Sequence, residues 1–505
     1  MSSNAASAQA SLAPGASSTC EPPTVAVDEE GAGSRGWGRL GVLLATLAVL
    51  VSRFAPPMAG LTRQPQAVIG VLLAFIALAV TGGVDRLVLG LATPLLLVLS
   101  AGYKGPDAFK AYSSSTFLLG LGTFIFAGVL TSLALGRRIA LGICSLVRSP
   151  KITRVILGLA GADVVVGSIL PAISEVALFL PVVTAINALI GKQGDTPEAR
   201  RMQAALLYMD PGLVPLFTGP LILTSHFPNM MLVGYLASQE QIHIGFTEWF
   251  WLNLPLWGLL PILYFYVRAT FRLRGLTVPG VEQALPALRK ELGPISRREI
   301  WAASCLLLGV GLWTTEGWLH RLPPEIVALI VVVLLFLPWS GLRFGQVGPF
   351  MQWETLFMLG GAMALGDALS SSGAVQWMTD LFTPALVRLH VPTIPLLALV
   401  VFGLHVARAG LTSNVAMGAA FIPVTASLAK SLGFAVLPFT VLVVNSLSYA
   451  FLLPMSATAF LIAWGASRTS AWQAIKFCWP LHLICNVYIV VVQSLWFSAI
   501  GHPLR

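Results

Sequence analysis

The sequence predicts an all-α polytopic membrane protein made of two inverted repeats with re-entrant hairpins and broken helices. Three observations predict it. Hydrophobic residues fill 56% of the 505 positions and charged ones only 10%, against about a quarter charged in soluble domains. Apolar runs recur from about Leu40 to Ile500, and roughly 20 such residues cross a hydrocarbon core about 30 Å thick. Several of those runs are interrupted in mid-membrane, and the interruptions come in matching pairs.

Taken in order, residues 1–36 are rich in Ala, Ser, Gly and Pro, with an acidic cluster at Asp28, Glu29 and Glu30. Such a segment cannot bury enough apolar surface to offset its ordering entropy, so a disordered tail is expected. It is too long and too poor in basic residues for the leading part of a cleaved signal peptide. Residues 37–66 are expected to hold a first span and a connector. Residues 67–267 form a first repeat, 268–299 a basic cytoplasmic loop, and 300–505 a second repeat. Spans are expected at 38–54, 67–81, 86–101, 116–135, 202–217, 220–236, 248–267, 300–318, 325–341, 353–371, 437–451 and 476–499.

Regions 154–190 and 394–430 are apolar but broken, the first at Gly167 to Pro171 and the second around Gly410 to Asn414. Both read as re-entrant hairpins, inner and outer. The stretch 453–465 reads as the second half of a broken helix that begins near 437. Loop charge agrees with this reading. Arg137, Arg138, Arg148, Lys151 and Arg154, then Lys192, Arg200 and Arg201, then the seven Lys and Arg of 268–299, all fall on one side only if the hairpins do not cross. The positive-inside rule assigns that side, and the N-terminus, to the cytoplasm; a plasma (inner) membrane is expected. The loop 237–247 has no Lys or Arg and falls opposite.

The net charge of +9 is loop charge facing an anionic membrane surface, so no nucleic-acid partner is expected. Cys20, Cys144, Cys305, Cys478 and Cys485 are scattered without a CxxC pair, which suggests neither a disulfide framework nor a zinc site. No HExxH, Gly-x-Ser-x-Gly or acidic pair at ligand spacing occurs within a span, so an enzyme is not expected. Neither is a cofactor.

An internal repeat links the halves. Phe179-Leu-Pro-Val-Val-Thr-Ala-Ile186 matches Phe421-Ile-Pro-Val-Thr-Ala-Ser-Leu428, and Gly-rich spans precede both at a similar offset. Inverted repeats with broken helices are the recurring plan of secondary transporters, with the site where the breaks meet. Non-helical backbone at membrane depth is tolerated where it lines a cavity or binds something. The four candidates are Pro171 to Glu175, Gly219 to Asn229, Gly410 to Val415, and Leu453 to Phe460. A small anion is the expected substrate, drawn to half-helix N-termini.

Several of these residues resemble the divalent-anion/sodium symporter family. Ser413-Asn414-Val415 before Phe421-Ile422-Pro423 looks like that family's Ser-Asn-Thr hairpin tip. Trp353 to Gly361 is similar to its span before the outer hairpin. The runs Thr218-Gly219 to Pro228-Asn229, Gly245 to Trp249, and Ala450 to Pro454 are similar to its other signatures, and the resemblance covers about residues 60 to 500 in order. It implies a homodimer in the bilayer and elevator-type symport of a di- or tricarboxylate or sulfate-like anion, driven by Na⁺. The substrate-binding residues it implies here are Ser413, Asn414, Val415, Ser174, Thr218, Gly219, Asn229, Pro454 and Ser456. Ser174, Asn414 and Gly410 would share in the sodium sites, and no other metal is expected.

The polar lining departs from that pattern. Val415 stands where the family has Thr, Ser225-His226-Phe227 replaces Gly-Thr-Pro, and Ala457-Thr458-Ala459-Phe460 replaces Thr-Pro-Pro-Asn. The first tip has two registers: either Ser174-Glu175-Val176 occupies it, or Pro171-Ala172-Ile173 does. Three ionisable groups lie at membrane depth, where charge is costly and function is the default reading. Burial disfavours the charged form of Glu175, so Glu175, or His226, is a candidate for carrying H⁺ in place of Na⁺. Arg408 can hold a substrate carboxylate through a bidentate contact. The bland alternative is that Glu175 and Arg408 neutralise each other. An uncoupled, channel-like facilitator and an arsenite- or citrate-permease type of carrier also fit the architecture.

Overall fold

The computed structural model describes residues 32–505 apart from Ile169, Ala409, Gly410, Thr412, Leu452, Pro454 and Met455. Among these residues every regular element is helical. The expected disordered tail falls on residues 1–31, outside the described part, and a helix is already under way at Ala32.

Apolar surface on the outside identifies the solvent. Leu43, Leu47, Leu307, Val406 and Leu483 are all exposed, as suits a lipid-facing wall. Trp37, Trp339 and Trp472 are exposed at helix ends near the basic loop, and Trp251 and Trp318 at ends on the opposite face. Tryptophans collect in this way at both membrane–water boundaries.

Two reciprocal exchanges relate the halves. Helix Arg86–Ala101 of the first repeat lies along Trp353–Ser371 of the second, and Pro324–Leu335 of the second lies along Ser115–Ser132 of the first. Likewise Phe227–Gln239 packs on Asn414–Ser431, while Thr458–Ala466 packs on Ala172–Gly191. Each element thus meets its partner's counterpart in the other repeat, as a two-fold relation between inverted repeats requires.

The hairpins are Ile152–Gly167 with Ala172–Gly191, and Thr393–Arg408 with Asn414–Ser431. Each entering arm has 16 residues and so reaches about 24 Å, short of the core thickness of about 30 Å. The arms therefore turn back inside the membrane. Phe179 and Phe421 match at the same depth of the returning arms, which both carry an internal proline, Pro181 and Pro423.

The broken helices cross in two pieces. In the second repeat these are Val436–Ser448 and Thr458–Ala466. In the first, Pro197–Leu207 is followed by a break, the short helix Val214–Thr218 and two tight turns, and then Phe227–Gln239. Here the structure corrects the expected unbroken span 202–217. The backbone leaves the helix at Asp210 (φ −141°, ψ 117°) and Pro211 (φ −95°, ψ 15°), because proline has no N–H to donate and forces the residue before it to be extended. The expected spans 300–318 and 325–341 end earlier, at Thr314 and Leu335. The expected loop 268–299 contains a helix, Val281–Glu291.

The basic face is tied by Arg138. Its Nε donates to Glu299 Oε1 (2.8 Å), and its Nη1 and Nη2 donate to the carbonyls of Gly293 and Leu292. Ser296 and Glu299 form a capping box at the start of the next helix, satisfying two otherwise orphaned donors.

Candidate functional site

Four helix N-termini meet at one internal cavity. Its lining includes Ala172 and Ile173 from the first hairpin, Ser225 to Phe227 from the first broken helix, Ser413 to Val415 from the second hairpin, and Thr458 and Ala459 from the second broken helix. Each group opens a helix, at Ala172, Phe227, Asn414 and Thr458. Only one of the four is capped by a side chain: Ser413 Oγ accepts from the Ala416 N–H (3.3 Å). The side chains of Pro171, His226 and Ala457 cap nothing. Ser174 and Asn229 N–H turn back to the Pro171 and His226 carbonyls, while the N–H groups that open each helix, at Ala172, Phe227 and Thr458, face the cavity end. Each helix start carries roughly half a positive charge.

Cationic side chains add to this field. Arg408 ends the entering arm of the second hairpin and is buried. Its Nη2 donates to Asn414 Oδ1 (2.8 Å), while Nε and Nη1 have no acceptor among the described residues. His226 lines the cavity and its Nδ1 is likewise unpartnered. Arg86, at the start of its helix, and Thr355 and Met358 on Trp353–Ser371 complete the wall. No carboxylate lines the cavity.

The cavity is small, about 50 Å³, room for only a few waters. On the face opposite the basic loop a larger cavity of about 320 Å³ lies among Met231 to Ser238, Ala362 to Asp367 and Gly418 to Pro423. These residues lie further along three of the helices whose earlier turns line the small cavity.

Some of the expected site residues are brought together here and others are not. Ser413, Asn414, Val415 and His226 line the cavity, and Arg408 holds Asn414 from behind. Gly410 and Pro454 lie outside the described residues. Thr218, Gly219, Asn229 and Ser456 stand behind the wall as structural ties. Asn229 Nδ2 donates to the carbonyls of Gly219 and Ile222, both 2.9 Å. Thr218 Oγ1 donates to its own helix, and Ser456 Oγ accepts from the Leu453 N–H (3.3 Å).

The first tip takes the second of its two registers. Pro171 precedes Ala172–Gly191 as Ser413 precedes Asn414–Ser431, so Pro171-Ala172-Ile173 occupies the place of Ser413-Asn414-Val415. Ser174 lies past it and accepts from Gln352 Nε2 (2.9 Å). Glu175 turns away onto the other arm, against Gly167, where an added Cβ would sit 2.7 Å from its Oε2. It makes no ion pair with Arg408. Among the described residues the ion pairs are Lys110–Asp367, Arg138–Glu299, Arg200–Asp195 and Lys430–Glu240.

Sequence reasoning did not find Arg86, Thr355 or Met358. Arg86 reads as an ordinary membrane-boundary arginine, and the other two lie in Trp353 to Gly361, a stretch that resembles the family's but reads as a span rather than as cavity wall.

Re-entrant hairpins and broken helices converging on an internal cavity define a multi-pass membrane transporter rather than an enzyme. The sodium:sulfate symporter transmembrane region matches residues 37–502, and the chain belongs to that family. A sodium-dependent dicarboxylate transporter, SdcS, of Staphylococcus saprophyticus is 25% identical over 421 residues, covering 79% of this chain and 80% of that protein. A membrane protein of Cupriavidus necator is 22% identical over 487 residues, 92% of this chain and 93% of its own. In fold, the chain is similar to the YdaH transporter of Alcanivorax borkumensis, with a TM-score of 0.51 at 15% identity over 93% of this chain and 100% of that one.

Proposed function

We propose that the protein is a secondary symporter of a small di- or tricarboxylate or sulfate-like anion, driven by an Na⁺ or H⁺ gradient. The observation that carries this reading is the convergence of four helix N-termini, with Arg408 behind one of them, on a cavity without a carboxylate. Such a site suits a di- or trianion and repels cations. Membership of the family and the named activity of the staphylococcal relative favour a dicarboxylate as the first substrate to test and Na⁺ as the first coupling ion.

The small volume favours a carrier over an open pore. A cavity of about 50 Å³ must widen to admit a dicarboxylate, so the hairpin tips move during the cycle. We propose elevator-type alternating access by a homodimer in the plasma (inner) membrane, with the basic loops and the N-terminus on the cytoplasmic side.

The test is uptake of labelled succinate, citrate and sulfate by proteoliposomes, with Na⁺ and H⁺ gradients imposed separately. Accumulation of one of them above its external concentration under either gradient supports the reading. Equilibration without accumulation would replace it with a facilitator.

A further inference from the structure

The first hairpin holds a second buried polar cluster, away from the anion cavity. Asp163 on Ile152–Gly167 and Glu175 on Ala172–Gly191 are both 0% exposed, and the Glu175 carboxyl packs on Gly167, one helical turn along the same face from Asp163. None of their four oxygens meets a hydroxyl, amide, Lys or Arg. Asp210, at the break of the first broken helix, is 1% exposed and independently lacks a partner for both oxygens. The break that carries it, Tyr208–Leu213, packs against both arms of the hairpin.

Two carboxyls packed together in this way, desolvated and without a counter-charge, are not both ionised while the hairpin keeps this arrangement. A proton between them supplies the missing donor. Metal chelation does not fit: among the described residues no group of three acidic, His or Cys side chains converges as a metal site. Nor does a fixed ion pair. Among the described residues the Cys144 thiol, on Leu135–Cys144 packed against this hairpin, is a further ionisable group nearby, and its Sγ points to the Gly158 carbonyl. Tyr208 points elsewhere, its hydroxyl bonded to Thr469. Arg200 and Arg201 on the neighbouring helix are exposed and Arg137 and Arg138 partly so, and none pairs with the three acids.

We propose that the Asp163–Glu175 carboxyl pair is the proton-binding site of the transport cycle, with Asp210 as the acceptor through which the proton leaves. This rests on the reading of the chain as a gradient-driven carrier and names its coupling ion. In the loaded state one O–H lies between the two carboxyls. On release that O–H bond breaks, its proton passes to Asp210 and then to water, and two facing carboxylates remain. Their repulsion opposes the packed hairpin until a proton returns, which ties the hairpin's arrangement to protonation. A cavity of about 610 Å³ on the basic face, lined by Arg200, Arg201, Arg468, Lys476 and Tyr208, ends two residues before Asp210 and offers the exit to water.

The site sits on the first repeat only. At the offset of the Phe179–Phe421 match, Asp163 corresponds to His405 and Glu175 to Met417. His405 is held by the carbonyls of Val401 and Ser446. The acidic pair is therefore not a relic of the repeat but a feature of one half.

Two measurements on the full-length protein test the proposal, one without substrate. Infrared spectra of the purified protein in neutral H₂O and D₂O buffer should show a protonated-carboxyl C=O band that Asp163→Asn/Glu175→Gln removes. An identical band in both proteins would overturn the proposal, whatever the protein transports. Second, anion exchange by the wild type should fall on the alkaline side by about tenfold per pH unit, as one titrating group gives. The singly substituted Glu175→Gln and Asp163→Asn should flatten that profile, which a purely structural role would not do. A retained profile in both would overturn the proposal even if the double variant does not fold. Failure of every anion to move in the wild type would sink the carrier reading instead, with the infrared result still deciding the protonation of the pair.

Discussion

Arg408 Nη2 donates to Asn414 Oδ1 across 2.8 Å while its Nε and Nη1 face no acceptor among the described residues. A buried guanidinium with two idle donors, one hydrogen bond from the cavity wall, is short of an anion. The same bond fixes which way the Asn414 amide turns, leaving its Nδ2 donor free for the cavity.

Arg408→Ala is therefore expected to weaken anion binding. A hydrogen bond to a charged group contributes about 1.5–3 kcal/mol, which corresponds to about a 10- to 100-fold rise in the half-saturating concentration for uptake. Arg408→Lys should recover only part of this, because the ammonium cannot hold Asn414 and an anion in one planar fork. Glu175→Gln should not rescue Arg408→Ala, since the two side chains form no pair. Concentration-dependent uptake by the single and double variants checks all three statements, and rescue by Glu175→Gln would contradict them.

Asn229 bridges the turn of the first broken helix by donating to both Gly219 O and Ile222 O. Asn229→Leu removes both bonds and leaves the buried Gly219 carbonyl and the part-buried Ile222 carbonyl without this partner. Each such loss costs about 1–3 kcal/mol. A large fall in the thermal midpoint of the detergent-purified protein is expected, with loss of uptake following the loss of folded material. An unchanged midpoint would mean that the turn is held by other contacts.

Much of this architecture was legible in the sequence, for physical reasons. Clusters of Pro, Gly and polar residues in apolar runs break helices where single prolines such as Pro181 and Pro423 do not, so the four interruptions that meet at the cavity could be read along the chain. The Phe179 and Phe421 motifs kept the repeat visible. The Asp210–Pro211 break was hidden because 202–217 is otherwise continuously apolar. The register of the first tip was ambiguous because Ser174-Glu175 imitates a polar tip, while the true tip, Pro171-Ala172-Ile173, carries no polar side chain. The facing of Asp163 and Glu175 depends on that register, so the sequence suggested Arg408 as a partner instead. Arg86 and Thr355 come from helices distant in sequence, and nothing in either local pattern shows that their side chains reach the cavity.

The seam between Arg86–Ala101 and Trp353–Ser371 depends on glycine. A Cβ on Gly361 would fall on the Gly90 backbone, and one on Gly90 would strike the backbone of Phe357. The Tyr112 hydroxyl donates to Gly90 O (2.9 Å) and Phe357 O (3.2 Å), stapling the pair. Small residues allow membrane helices to approach this closely. Gly361→Ala should cost about 1–3 kcal/mol through overpacking, and Gly361→Val more. A graded fall in thermal midpoint from Gly to Ala to Val is the expected result, and equal midpoints would show that the helices can separate freely.

Val415 is buried, lies in the first turn of Asn414–Ser431, and lines the cavity beside Asn414. Val415→Thr keeps the branched shape and adds one hydroxyl to the wall, so its effect is chemical rather than steric. A hydroxyl buried without a partner costs about 1–3 kcal/mol, and it is stable there only if a ligand or cation takes it up. The variant should therefore lose thermal stability in the absence of ligand and regain it when sodium and the transported anion are added together. Uptake by Val415→Thr should also depend more steeply on Na⁺ than uptake by the wild type. Thermal midpoints and uptake rates across a sodium series separate the outcomes. A stability loss that Na⁺ and the anion do not reverse would mean that the second tip no longer takes part in a cation site.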